Sequence, residues 1–325
     1  MKAVRAHAPC EPADLRLEEI ETPSPGPGEV LIKVAAAALN FPDLLIIGHK
    51  YQVRPPFPFS PGFEVAGTVH ALGEGVVGLR PGVRVMAHLP MGGFAEYAVA
   101  PAGAVRPIPD GLSDEEASAF PLVYQTSYFG LVHRAGMKAG ETVLIHSAAG
   151  GVGLSALQIA RALGAGKLLA TVGSDSKLDL VRAQGADVAV NYQTEDFVQV
   201  VKRETEGRGA DIIYDPVGGE LAERSTKCIA FEGRLLIVGF TSGRFSNFVS
   251  NHILIKNYSV VGLHWGYYRQ MNPARIDQAW QELIELARRA PLKPVIGGRY
   301  PMERVGEAME RLASRQTVGK IVLHW

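Results

Sequence analysis

The chain has 325 residues, 47% of them hydrophobic and 20% charged, with 33 basic residues against 33 acidic ones. That length suits about two domains of ~100–200 residues each, and the balanced charge excludes a global field that would draw nucleic acid or an anionic membrane, which leaves small molecules as the expected partners. Two distant cysteines without C-x-x-C spacing, and nine histidines without H-x-x-x-H or H-E-x-x-H, exclude a disulfide framework and the common zinc motifs.

The N-terminus, MKAVRAHAPCEPADLRLEEI, has no apolar signal region, and no segment holds the ~18 consecutive apolar residues of a membrane span, so a cytoplasmic protein is expected. From Met1 to about Phe120, short apolar strands are cut by Pro/Gly turns, a barrel-like all-β texture. Ser113, followed by three acids, predicts a capped helix that continues through Leu131. The texture then changes to strands alternating with helices: TVLIH, LLATV, VAVN, DIIYD, RLLIVG and SVVGL. Six such strands predict a doubly wound parallel sheet of α/β class. An amphipathic helix over 274–289 follows, and the tail returns to strand–helix–strand. The tail is expected to rejoin the N-terminal barrel, giving one domain over 1–122 and 288–325 with a nucleotide fold inserted over 123–287.

The first of the six strands runs into a glycine turn, HSAAGGVG, and then a helix predicted over 153–162. Ala148, Gly150 and Gly153 hold the small positions of a G-x-G-x-x-G spacing: Ala148 for a sharp turn, Gly150 for close approach to a pyrophosphate, Gly153 for close packing of helix on strand. The anion would sit on free N–H groups at the positive end of a helix dipole. An acid that selects NAD is expected about 20 residues further on, but the second strand ends at Thr171–Val172–Gly173 without one. Ser174 and Lys177 suit a 2′-phosphate, which favours NADPH. Asp175 is also placed to bind a ribose diol, and Ser174–Asp175 also reads as a plain helix cap.

Residues 140–161 carry a complete quinone oxidoreductase signature, with Gly140–Glu141, Leu144, the A-A-G-G-x-G core, Gln158 and Arg161. With PGEVLIKV, LNFPDLL, SPGFEVAG, DPVGG and TVGKIVL, the chain resembles the zinc-independent quinone oxidoreductases of the medium-chain dehydrogenase/reductase superfamily, relatives of zeta-crystallin, over essentially its whole length. The resemblance implies a Rossmann fold inserted in a chaperonin-10-like barrel and a homodimer. It places the pyrophosphate at Ala149, Gly150, Gly151 and Val152, and the adenosine end at Gly173, Ser174, Lys177 and Tyr192. Contacts on the nicotinamide side fall at Val238, Gly239, Phe240 and Thr241 and at Leu263, His264 and Trp265. Asn40 and Tyr51 match residues that flank nicotinamide and quinone, and both are the catalytic candidates. Asn40 and Phe63 stand where zinc-dependent cousins keep two ligands, so no metal is expected; Glu64 is retained from that pattern as a local hydrogen-bonding group. The implied activity is NADPH-dependent reduction of a quinone or similar activated carbonyl. Enone or enoyl-thioester reduction on the same fold, and a non-catalytic NADPH-binding structural or sensor role, stand as alternatives.

Overall fold

Strand Glu29–Ala38 carries the barrel texture in miniature: its buried Val30, Leu31, Ile32 and Val34 are punctuated by exposed Lys33 and Ala35. In the computed structural model, which describes residues 1–325, this strand is the centre of a seven-stranded sheet. The order is Ile296–Pro301, Lys320–His324, Glu29–Ala38, Glu64–Leu72, Arg84–His88, Val105–Pro107, with Tyr97–Pro101 pairing back onto Glu29–Ala38. All pairings are antiparallel except the parallel pair formed by the two C-terminal strands. Ile32, Val65, Val85, Phe94 and Ile321 are fully or almost fully buried in its core.

The chain divides into two compact units, Met1–Leu122 with Lys293–Trp325, and Val123–Leu292. The return crossing lies five residues beyond the expected 288, because one continuous helix runs over Pro273–Arg289 and a cut at 288 would split it. The single helix expected from Ser113 through Leu131 is also broken. Ser113 caps Asp114–Ser118, accepting from the Glu116 N–H while the Glu116 carboxylate accepts from the Ser113 N–H. Pro121, which has no N–H to donate, then starts a second helix over Pro121–Tyr128 that passes into a π-helical turn over Phe129–Arg134.

The second unit holds the predicted parallel sheet. Its six strands, in chain order, are Thr142–Ile145, Lys167–Val172, Val188–Asn191, Ala210–Asp215, Ile229–Ile237 and Ser259–Gly262. They lie side by side in the order three, two, one, four, five, six, and every pairing is parallel. Thr142–Ile145 is buried throughout, the continuous pattern of a strand covered on both faces. The order reverses between strands one and four, and in such sheets ligands bind outside the carboxyl ends of the strands at that reversal.

Candidate cofactor cradle and buried polar network

Because the strands are parallel, their carboxyl ends share one edge of the sheet. Ala149, Gly150, Gly151 and Val152 follow strand one, Gly173, Ser174 and Lys177 follow strand two, and Tyr192 follows strand three. Val238–Thr241 follow strand five and Leu263–Trp265 follow strand six. The fold thus brings every cofactor candidate to one edge from five separate stretches of sequence.

At the glycine turn the left-handed residue is Ser147, with φ 49°, so the sharp turn falls one position before Ala148. Gly150 caps the helix Gly151–Ala162, which begins two residues earlier than the predicted 153. Its first helical bond runs from the Leu154 N–H to the Gly150 carbonyl at 2.9 Å, so the N–H groups of Gly151, Val152 and Gly153 precede the ladder and are available to an anion. A Cβ on Gly153 would lie 2.4 Å from the Ser147 carbonyl oxygen and 2.6 Å from the Ala148 Cα. Only glycine permits this approach of helix to turn, and the cradle fits a dinucleotide pyrophosphate.

Asp175 is turned to its own protein, where its Oδ1 accepts from the Asn191 amide at 2.8 Å. That bond ties the ends of strands two and three through the exposed Asp175. Tyr192 stands over Gly173, its hydroxyl 3.0 Å from where a Cβ would be. Leu263 and Trp265 are buried, whereas His264 is exposed and its ring stacks on Tyr267 with centroids 6.0 Å apart.

Sequence reasoning missed two buried ionisable groups at this edge. Asp215, at the end of strand four, accepts from the N–H groups of Val217 and Gly218, and burial pushes its carboxyl up to about 6. His146, fully buried, bridges Thr171 Oγ1 and Ser225 Oγ at 2.8 Å each, pinning the cradle to strand two and to helix Gly219–Ser225. Burial holds its imidazole down to about 3. An unfolded histidine titrates near ~6.5, so between there and about 3 the unfolded chain binds a proton that the folded chain refuses, and stability falls as pH falls through that window. Denaturant titrations of wild type and His146→Gln at pH 7 and 5 should show the wild type losing about 2 kcal/mol more than the variant. Equal losses would contradict this reading. Asp43 and Asp215 titrate with the opposite sign but are common to both proteins, so they cancel in the comparison.

The catalytic candidates lie in the first unit. Asn40, 5% exposed, precedes helix Phe41–Ile47, and its amide is already engaged. Its Nδ2 donates to Glu64 Oε1 at 2.8 Å and to the Ala38 carbonyl at 3.3 Å, and its Oδ1 accepts a short bond from the Lys320 ammonium. Lys320 also donates to Glu64 Oε1 at 2.8 Å and to the Leu39 carbonyl at 2.7 Å, while Glu64 Oε2 accepts from the Leu122 N–H. All three ammonium protons are thereby used. Asp43 accepts from the N–H groups of Asn40 and Gly62, and burial drives its carboxyl up to about 7 against those bonds and the Lys320 charge. Tyr51 is half-buried, with its ring centroid 6.4 Å from that of Phe63. Burial, aided by the Asp43 carboxylate, raises its phenol, which stays protonated and able to donate.

The structure therefore places Asn40, Glu64, Asp43 and Lys320 in one network and Tyr51 within electrostatic reach of it. Lys320 lies in TVGKIVL and Asp43 in LNFPDLL, motifs from which sequence reasoning assigns neither a role. Their available signal was a charge at an apolar position, Lys320 at the start of strand KIVLH and Asp43 in NFPDLLII.

Residues 26–110 match the alcohol dehydrogenase GroES-like domain family and residues 151–288 the zinc-binding dehydrogenase family. A quinone oxidoreductase-like protein 2 homolog of Nematostella vectensis is 34% identical over 309 residues, covering 94% of this chain and 84% of that protein. The chain belongs to the quinone oxidoreductase family of the medium-chain dehydrogenase/reductases. It is an oxidoreductase by that membership. Among solved structures, quinone oxidoreductase of Escherichia coli complexed with NADPH superposes with a TM-score of 0.90 at 29% identity, covering 100% of each chain. CurK enoyl reductase superposes with a TM-score of 0.90 at 28% identity, covering 99% of this chain and 98% of that one. The zinc in one family description does not fit the residues present. The amide at Asn40 is bound by Lys320 and Glu64, Phe63 offers no donor, and no three His, Cys, Asp or Glu side chains are grouped to hold a metal ion. No helix is long and apolar enough to cross a membrane.

Proposed function

We propose that this protein is an NADPH-dependent, zinc-free reductase that delivers hydride to a quinone or a similarly activated carbonyl. The observation that carries the reading is the cofactor edge: an open helix start at Gly151–Gly153, with the one acid near the second strand's tip bonded to Asn191. NADPH supplies a hydride when bound. An alcohol must lose a proton before it can yield hydride, a task zinc performs by stabilising alkoxide. A quinone or enone is already polarised and needs only hydride and a hydrogen bond to the oxygen that gains charge. Tyr51, held protonated, is the donor we assign to that bond. Asn40, with both amide protons committed, holds its place in the network and leaves donation to Tyr51.

Lys177 is assigned to the 2′-phosphate. Lys177→Ala should weaken NADPH about 10- to 100-fold and leave NADH unchanged in fluorescence titrations, the scale of one lost charge-assisted hydrogen bond. Equal affinity of the native protein for both cofactors would overturn the assignment. The second reading, reduction of an enone or enoyl thioester, is favoured by the likeness to CurK enoyl reductase.

We further infer a homodimer built on strand Ser259–Gly262, which lies at the open end of the parallel sheet. An unpaired edge offers a row of N–H and C=O groups to another chain. The helix before it, Ser250–Lys256, exposes Leu254 and Ile255 at 76% and 70%. Sedimentation at micromolar concentration should give a dimer, and a Val260→Pro variant a monomer; a monomeric wild type would contradict the inference.

A further inference from the structure

Strand five is followed by a loop whose course is unusually well fixed for a segment that exposes large apolar rings. The Thr241 N–H donates to the Pro216 carbonyl at 3.1 Å and the Ser242 N–H to the Val217 carbonyl at 3.0 Å, laying the loop on the turn after strand four. Further on, the Asn247 N–H donates to Glu223 Oε1 at 2.7 Å, and Ser246 Oγ to the Gly219 carbonyl at 3.3 Å. Phe240, just before the first pair of anchors, and Phe245, just before the second, meet edge to face, with centroids 4.9 Å apart and planes at 87°. Phe240 rests on Gly218, where φ is +70° and a Cβ would come within 2.6 Å of its ring. Yet Phe240 is 37% and Phe245 79% exposed.

A single exposed phenylalanine carries little information. Two rings in contact, on a pinned loop at the ligand-binding edge of a doubly wound sheet, form a built apolar surface. We propose that Phe240 and Phe245 are a stacking platform for the fused aromatic body of the acceptor, and so specificity-determining residues of the reductase reading above, on which this inference rests. The loop begins with Val238–Thr241, which the resemblance assigns to the nicotinamide side, so Phe240 is the ring nearer the cofactor and Phe245, in contact with it, is the ring that extends the apolar surface toward an acceptor. Aromatic rings prefer offset or edge contacts, which a second fused ring offers and a lone quinone ring does not.

The test compares 2,3-dimethyl-1,4-naphthoquinone with tetramethyl-1,4-benzoquinone. Neither has a free quinone carbon for Cys10 or Cys228 to attack. Binding to the protein–NADP⁺ complex is read by tryptophan fluorescence in wild type, Phe245→Ala and Phe245→Tyr, with NADPH affinity and melting temperature as controls expected to stay unchanged. The naphthoquinone dissociation constant should rise about tenfold in Phe245→Ala and recover in Phe245→Tyr, while that of the benzoquinone moves less than about twofold. No naphthoquinone binding by wild type, an unchanged value in the variant, or equal losses for both quinones would overturn the platform. So would unchanged quinone binding with loss of self-association in sedimentation, which would make the pair a contact between copies. Phe245-dependent binding of a naphthoquinone that wild type fails to reduce with NADPH would retain the platform and discard the quinone reductase reading.

Discussion

Gly153→Ala should weaken NADPH binding by about 30-fold, although it adds one carbon to a helix where alanine is otherwise the better residue. The added Cβ would stand 2.4 Å from the Ser147 carbonyl oxygen and 2.6 Å from the Ala148 Cα, both backbone atoms that no rotamer change can move. Real Cβ contacts essentially never fall below 3.0 Å, so the helix start must shift away from the turn. That displaces the N–H groups of Gly151–Gly153 from the anion, and overpacking of this kind costs about 1–3 kcal/mol. Gly150→Ala is the internal comparison. Its Cβ would lie 3.3 Å from the Ser147 carbonyl oxygen, tight but tolerable, so the helix start keeps its place and the melting temperature should fall clearly less than in Gly153→Ala; NADPH binding is lost there only through the Cβ meeting the pyrophosphate. Melting temperatures of both variants check the order, and fluorescence titration the loss of binding; a Gly153→Ala protein that binds NADPH normally would show that the cradle does not depend on this approach.

Lys320→Met should cost about 3–5 kcal/mol of stability, the largest effect expected outside the cradle. The Lys320 side chain is 5% exposed and that of its partner Glu64 fully buried, so removing the ammonium leaves a buried carboxylate without its counter-charge and the Asn40 oxygen without its donor. Burying a charge is tolerable only when it is paired and hydrogen-bonded. Adding Glu64→Gln to Lys320→Met removes the orphaned charge and should recover at least half of the loss. Urea unfolding of the two variants measures this. A single variant within about 1 kcal/mol of wild type would mean that the pair contributes nothing beyond a surface ion pair.

The Rossmann half was legible because its signals are local. A buried strand, a run of small residues and a helix follow one another within about twenty residues, and the parallel sheet puts the ends of all its strands on one edge. The same template misplaced the turn at Ala148, since it assigns the bend to the first small residue, whereas the structure uses Ser147 in the left-handed region. The polar network was not legible as a unit. Lys320 lies 280 residues from Asn40 and 256 from Glu64, and only the pairing of strand Lys320–His324 with Glu29–Ala38 brings them together. His146 was hidden in another way. Beside an apolar strand it reads as an ordinary residue, and its bridging role depends on Thr171 and Ser225, which are 25 and 79 residues away. Asp215 carried a visible motif, DPVGG, but nothing in the sequence shows that its carboxylate turns back to the Val217 and Gly218 N–H groups.

Hydride transfer from NADPH to a quinone-type acceptor, as proposed above, requires no metal. The most direct measurement is initial-rate NADPH oxidation by chelator-treated protein with a panel of quinones, enones and enoyl thioesters, repeated with added zinc. Turnover of quinones that is unchanged by chelator and by zinc is the predicted result; turnover of enoyl thioesters alone, or quinone reduction that appears only with added zinc, would contradict it.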